Sequence, residues 1–241
     1  MSWQENLTEK LNILSQSEFT YIETNDIQKA SELDLNCTGL YLEATVIYFE
    51  IKNLGFLLKE HGRRKVAQTY TIFREVLGTI TEGDQDAFVN CFSPNAFLVV
   101  YPGKESSVKY AVKAAMKISS YFSETLKKQF HNINGLEFSM GVDHGHIMGT
   151  KCLSDNNIQT MTWFGTTIQK AGRICRECGR PYYVGISSSV YHNLDEELLV
   201  TTKRILGIKK RVELWSKQTY QLENVKHHLY QTNHKINLNE A

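Results

Sequence analysis

Apolar positions along the chain follow two periods in turn, and their alternation predicts strands exchanged with helices. Ala44-Thr45-Val46-Ile47-Tyr48-Phe49-Glu50-Ile51 is a near-continuous apolar run rich in β-branched and aromatic side chains, as in a strand buried on both faces. Over 53–80 the period changes. Leu54, Leu57, Leu58, Val66, Tyr70, Phe73 and Leu77 recur at three- and four-residue steps, which predicts a helix closed by Gly83. Residues 90–100 predict a hairpin, Pro102-Gly103 a turn, and 108–130 a second helix carried by Val112, Ala115, Met116, Ile118, Ser119, Phe122 and Leu126. Strands follow at 138–149 and 181–186. A turn glycine, Gly165, opens a helix between them. Segments 202–205 and 211–223 predict further strands, with a hairpin around Gly207. The sum is an α/β sandwich. At the ends, Leu7, Leu11 and Leu14 mark an amphipathic turn series within a polar extension, 1–38, readable as a helix or as a solvated cover. Residues 39–224 form the folded domain, and 225–241 read as a polar, mobile tail.

Composition narrows the class. With 241 residues, 41% of them hydrophobic, the chain has enough apolar material for one sizeable core. A formal net charge of +1 offers no broad basic field, so nucleic acid is not an expected partner. No run of about eighteen apolar residues predicts a membrane span. The start Met1-Ser2-Trp3-Gln4-Glu5-Asn6 lacks the pattern of a signal peptide, which with five irregularly spaced cysteines predicts a cytoplasmic, reducing location.

The candidate chemistry is concentrated after Gly165. Gln169 and Arg173 are four residues apart, so a helix places both on one face, and a forked guanidinium suits phosphate oxygens. Cys175-x-x-Cys178 has the spacing of half a zinc site. Cys37, Cys91 and Cys152 supply no second pair, so packing is the expected role. Asp143, His144 and His146 are metal-ligand types, but strand alternation turns Asp143 away from His144 and predicts a structural role. Lys209-Lys210-Arg211 and Arg63-Arg64-Lys65 read as solvated basic edges.

Trp163-Phe164-Gly165-Thr166-Thr167-Ile168-Gln169-Lys170-Ala171-Gly172-Arg173 resembles the W-G-x-x-V-N-x-A-x-R segment of class III nucleotide cyclases, the adenylate and guanylate cyclase catalytic domains. Three other segments resemble that family in the same order, over about positions 40 to 220. The run ending in Phe49-Glu50-Ile51 matches F-x-D-I, 90–100 matches the hairpin K-x-x-G-D, and 138–149 matches a glycine-marked strand pair, with Asp143 at a strand turn. The resemblance implies a ferredoxin-like βαββαβ core and a head-to-tail dimer. It implies that Arg173 binds the triphosphate and that Gln169 stands where an Asn orients the ribose. Glu50 and Asn95 take the places of two aspartates that hold Mg²⁺ or Mn²⁺, and Pro94 that of the hairpin glycine. Cys91 and Thr162 take the two base-selecting places, with Phe49 and Ile51 beside them as nucleotide-binding positions. In the family the first helix begins near the phosphates, which also brings Arg63-Arg64-Lys65 into question as triphosphate contacts.

Of the four polar positions that define the family's chemistry, only Arg173 is unchanged. Three functional readings follow. The chain is a weakly active or inactive pseudo-cyclase, acting as a nucleotide-binding or signalling dimer; or an active cyclase using Mg²⁺ or Mn²⁺ to make a 3′,5′-cyclic nucleotide and pyrophosphate, with a short architecture like that of the bacterial pyrimidine cyclases of antiphage defence; or the complementing half of a heterodimer. The expected ligand in each is a nucleoside triphosphate.

Overall fold

The computed structural model describes residues 2–26, 33, 38–82, 87–93, 95–104, 106–126, 135–153, 159–179, 181, 183–205 and 208–236. Its centre is a pair of long antiparallel strands, β2 (Thr38–Ile51) and β5 (Phe138–Leu153), aligned from Gly39 opposite Thr150 to Ile51 opposite Phe138. The hairpin β3 (Phe88–Ser93) and β4 (Ala96–Pro102) extends the sheet on the β2 side. On the β5 side lie β7 (Val184–Ser187), β11 (Val225–Thr232) and β10 (Ser216–Leu222), in the order β10-β11-β7-β5-β2-β4-β3. Strands β5-β2-β4-β3, with the helices that connect them, form the βαββαβ core.

Strand alternation sends Ile47, Phe49 and Ile51 to one face of the sheet. There α2 (Leu54–Thr81) and α3 (Ser106–Tyr121) cover them with Leu57, Phe73, Leu77, Val112, Ala115 and Met116. Phe49 is fully buried, its ring centroid 5.3 Å from Phe73, 5.6 Å from Phe122 and 5.8 Å from Phe138. Leu40, Leu42, Ala44 and Val46 face the other way, toward α4 (Thr166–Glu177). The chain reaches α4 through β6 (Gln159–Phe164), which pairs with the end of β5, and Gly165, whose φ of 141° is open to glycine but strained for other residues. Helix α4 lies flat on β5 because Gly141 has no side chain. A Cβ there would fall 2.0 Å from the Ala171 carbonyl oxygen and 2.4 Å from the Cys175 nitrogen.

Several expectations need correction. Residues 138–149 are not a strand pair but one continuous strand, paired with β2 throughout, and the hairpin partner begins only at Gln159; Asp143 is therefore mid-strand. The second helix ends as an α-helix at Tyr121 and widens into a π-turn over Phe122–Leu126. The tail reading fails for 225–232. This segment is β11, hydrogen-bonded on both sides, and it buries Leu229, Tyr230, Gln231 and Thr232. Its polar side chains pair off across the hairpin, as between Thr219 Oγ1 and His228 Nδ1 at 3.2 Å, so low hydropathy does not exclude a strand. The extension forms α1 (Trp3–Gln16), capped by Ser2 and Glu5, with Trp3, Leu7 and Leu11 exposed; β1 (Thr20–Glu23) then pairs parallel with the start of β2. The hairpin around Gly207 is β8 (Val200–Ile205) with β9 (Ile208–Glu213), a separate two-stranded sheet. Gly83, Pro94, Gly207 and the 127–130 end of the expected second helix lie outside the described residues.

Replacing Gly141 by Ala forces a methyl group into the backbone of α4. Urea denaturation should show a loss of about 3 kcal/mol, and a loss below about 0.5 kcal/mol would mean that α4 does not rest on this strand.

Candidate functional site

Glu50 and Tyr48 share the α4 face of β2, two residues apart near the strand's end. Ser139 stands directly opposite Glu50 on β5, and Cys175 of α4 lies over both. Asn95, in the turn between β3 and β4, returns to the same point. Its Nδ2 donates to Glu50 Oε1 at 3.2 Å and to the Ile51 carbonyl at 3.3 Å, and its Oδ1 accepts from Ser93 Oγ at 3.1 Å. Those partners fix the amide's orientation. The structure thus brings together Glu50 and Asn95, the two positions read as metal ligands.

Lys52 completes the cluster. Its ammonium is 4.0 Å from Glu50 Oε2 and donates to the Cys175 carbonyl at 2.8 Å, with side-chain exposure of 22% for Lys52 and 19% for Glu50. Ser139 Oγ donates to the same carbonyl at 2.7 Å. Carbonyls in the last turn of a helix have no partner within it and carry the negative end of its dipole, so a lysine and a hydroxyl here cap α4. Burial pushes the Cys175 thiol up to about 11 and the Cys178 thiol up to about 12, which keeps both as neutral packing groups, as their spacing predicts. The Tyr48 hydroxyl is raised by burial first and by the Glu50 carboxylate second.

These contacts leave a poor divalent-metal site. One oxygen of Glu50 already accepts from an amide, the other faces an ammonium, and Asn95 turns its donor end to the carboxylate. Among the described residues no group of three or more His, Cys, Asp or Glu side chains is placed to hold a metal ion. The residues present do not fit Mg²⁺ or Mn²⁺, which need several anionic or neutral oxygens converging on one point.

Gln169 and Arg173 are not part of this cluster. Two residues along a helix turn through about 200°, so Arg173 lies on the flank of α4 away from Cys175. Its Nη2 pairs with Glu177 Oε1 at 2.6 Å, and its Nε is buried with no hydrogen-bond partner among the described residues. Gln169 opens onto a cleft of about 240 Å³ between α4 and the β10–β11 turn, lined by Thr166, Lys170, Leu222, Glu223 and His227. Phe49 and Ile51, read as nucleotide-binding, have their side chains in the core at 0% and 2% exposure and can meet a ligand only through their backbone. Thr162 is exposed on β6; the Cys91 side chain lies outside the described residues, though Asn90 Nδ2 reaches the Met161 carbonyl at 3.4 Å and ties the two strands together. Asp143 is 2% exposed and accepts from Ser189 Oγ at 3.3 Å. His144 is held between Thr45 Oγ1, 3.0 Å from Nδ1, and Glu43 Oε1, 3.3 Å from Nε2. Sequence reading missed Lys52 and Ser139. The available signal was a lysine two residues beyond Glu50 on a strand about to end.

No protein-family profile matches this sequence, and no curated protein matches it. The fold, however, is that of solved class III cyclase domains. The adenylyl cyclase CyaB from P. aeruginosa superposes with a TM-score of 0.63 at 14% identity, over 80% of this chain and 95% of that one. The guanylate cyclase domain of RhGC from Catenaria anguillulae, solved in complex with GTP, gives 0.58 at 15%, over 81% and 98%. A class III adenylyl cyclase-like ATP-binding protein from Pseudomonas aeruginosa gives 0.62 at 18%, over 81% of this chain and 43% of that one.

Two predictions follow from the cluster and its neighbour. Replacing Asn95 by Asp puts a carboxylate against Glu50 and removes the donor, so the variant should lose about 1–3 kcal/mol in metal-free buffer and regain most of it with Mn²⁺. Wild-type melting should not respond to Mn²⁺; a metal-stabilised wild type, or a variant that ignores the metal, contradicts this account. Burial raises the Asp143 carboxyl above its ordinary value, against weaker help from Ser187 and Lys170. A raised folded value favours the protonated form, so that stability is complete below about pH 4 and lost as pH rises through the folded value. Asp143→Asn should therefore stabilise the protein at pH 8 more than at pH 5 in urea titrations.

Proposed function

We propose that this chain, which carries the fold of class III nucleotide cyclase domains, is a cyclase homology protein that binds a nucleoside triphosphate, works as a dimer in signalling, and has little or no cyclase turnover of its own. The observation that carries this reading is the closed Glu50–Asn95–Lys52 cluster. Where two-metal phosphoryl chemistry needs carboxylates open to cations, this chain supplies a carboxylate that already accepts from an amide and faces an ammonium 4.0 Å away.

Dimerisation is supported by the division of the candidate residues. Glu50 and Asn95 lie on one side of α4 and Gln169 and Arg173 on the other, so one chain does not present both sets to a single ligand. A second chain packed head to tail joins the Glu50 side of one subunit to the Arg173 side of its neighbour. Arg173 is 40% exposed on its side chain and paired with Glu177 of the same helix, and so remains available to such a neighbour. The same exposure favours a second reading, in which this chain lends Arg173 to a different cyclase-fold partner that holds the metals. Cytoplasmic location remains part of the proposal; among the described residues no helix is long and apolar enough to cross a membrane.

Calorimetric titration with each of the four nucleoside triphosphates, with and without Mn²⁺, tests the binding. Cyclic product formed by the isolated chain should fall far below about 1 per second, and turnover at or above that rate would establish an active cyclase instead. Arg173→Ala should weaken triphosphate binding, or, in the heterodimer reading, abolish activation of the partner.

A further inference from the structure

Resting on that reading of the chain as a nucleotide-binding protein, the disagreement between this cluster and a divalent-metal site leads to a specific consequence. A triphosphate carries several negative charges, and a site that cannot hold metal must offset them with its own cations. The Glu50 neighbourhood contains two. Lys52 has three N–H donors, of which one is given to the Cys175 carbonyl, while Glu50 Oε2 at 4.0 Å is too far for a short charge-assisted bond. Arg176 lies in the last turn of α4 with its Nε donating to the Gly172 carbonyl at 3.2 Å. A Cβ placed on Gly172 would meet both the Tyr48 ring, at 3.6 Å, and Arg176 Nη2, at 3.7 Å. The guanidinium therefore stands beside Tyr48 on the same face of β2 as Glu50. With one carboxylate, one ammonium, one guanidinium and a neutral amide in place of an aspartate, the cluster carries a net charge of about +1 without any metal.

We propose that Lys52 and Arg176 are the cations that this chain offers to the phosphate groups of a nucleotide, in place of divalent metal, so that the nucleotide is bound without Mg²⁺ or Mn²⁺. The arrangement is preorganised. Lys52 is anchored to the end of α4 and Arg176 to the turn before it, so neither long side chain has to be ordered from solution when the anion arrives. Glu50, fixed by Asn95, lies 4.0 Å from the ammonium and offsets part of its charge. No bond is made or broken in this step.

Titration of the full chain with ATP, GTP, CTP and UTP in EDTA, repeated with excess Mg²⁺ and Mn²⁺, decides the matter. At least one triphosphate should bind in EDTA, with an affinity changed less than about threefold by metal. Lys52→Met should weaken that binding about tenfold or more, since a hydrogen bond to a charged group is lost, and Lys52→Arg should restore most of it. Because Lys52 also caps α4, Arg176→Gln serves as an independent variant. Its side chain is exposed, so it should leave the melting temperature unchanged while weakening binding severalfold. Binding that appears only with a divalent ion overturns the inference and leaves the nucleotide-binding reading intact. Absence of binding under every condition overturns both. Wild-type affinity in Lys52→Met and Arg176→Gln removes these residues from the site.

Discussion

Helix α4 rests on bare backbone, and the rest of the site depends on that contact. With Gly141 beneath it, the helix comes close enough for Ala171 and Cys175 to touch β5 directly. Its last-turn carbonyl then falls within reach of Ser139 on β5 and of Lys52 just beyond β2, and the Cys175 sulfur reaches Ser139 and Glu50. An extra layer of side chain between helix and strand would separate all of these groups. The position of Arg173 follows too, because a helix fixed on one side fixes the direction of the other.

The electrostatics of the cluster explain why Glu50 and Asn95 belong together. A carboxylate shielded from most solvent needs donors, and each of its oxygens has one nearby: the Asn95 amide on one side and the Lys52 ammonium on the other. An aspartate in place of Asn95 would set a second charge against Glu50, keeping the Ser93 hydroxyl as a donor but losing the amide donor to Glu50, and would call for an external cation. Glu50, Asn95 and Lys52 are therefore one coupled set of charges and donors.

The sequence made the βαββαβ core legible because each element is long and strongly patterned, as in the apolar run of β2 and the seven spaced apolar positions of α2. The meeting of Glu50 and Asn95 was also readable, since the resemblance places them together and they are joined by a hydrogen bond. What stayed hidden depends on contacts distant in sequence. Lys52 and the Cys175 carbonyl are 123 positions apart, and nothing local in Ile51-Lys52-Asn53 announces a helix cap. Strand β11 was misread because His227, His228, Gln231 and Thr232 look solvated, whereas half of their segment is buried by neighbours that a linear reading cannot see. The expected strand pair at 138–149 failed for the opposite reason. Its glycines suggest turns, but Gly141 serves close packing and the strand runs on through it.

The place of β11 between β7 and β10 has a consequence for synthesis of the protein. A chain emerging in order exposes β7 as an open strand edge from residue 187 until residue 232 has been made, because β10, although made first, joins the sheet through β11. The Leu222–Val225 turn, with Glu223 and Asn224 both at positive φ, lets β10 and β11 zip together by themselves on a fast local timescale. The last part of the sheet is thus a ribbon of two strands adjacent in sequence, and the β7 edge stays open to edge-to-edge association at least until that ribbon has been made.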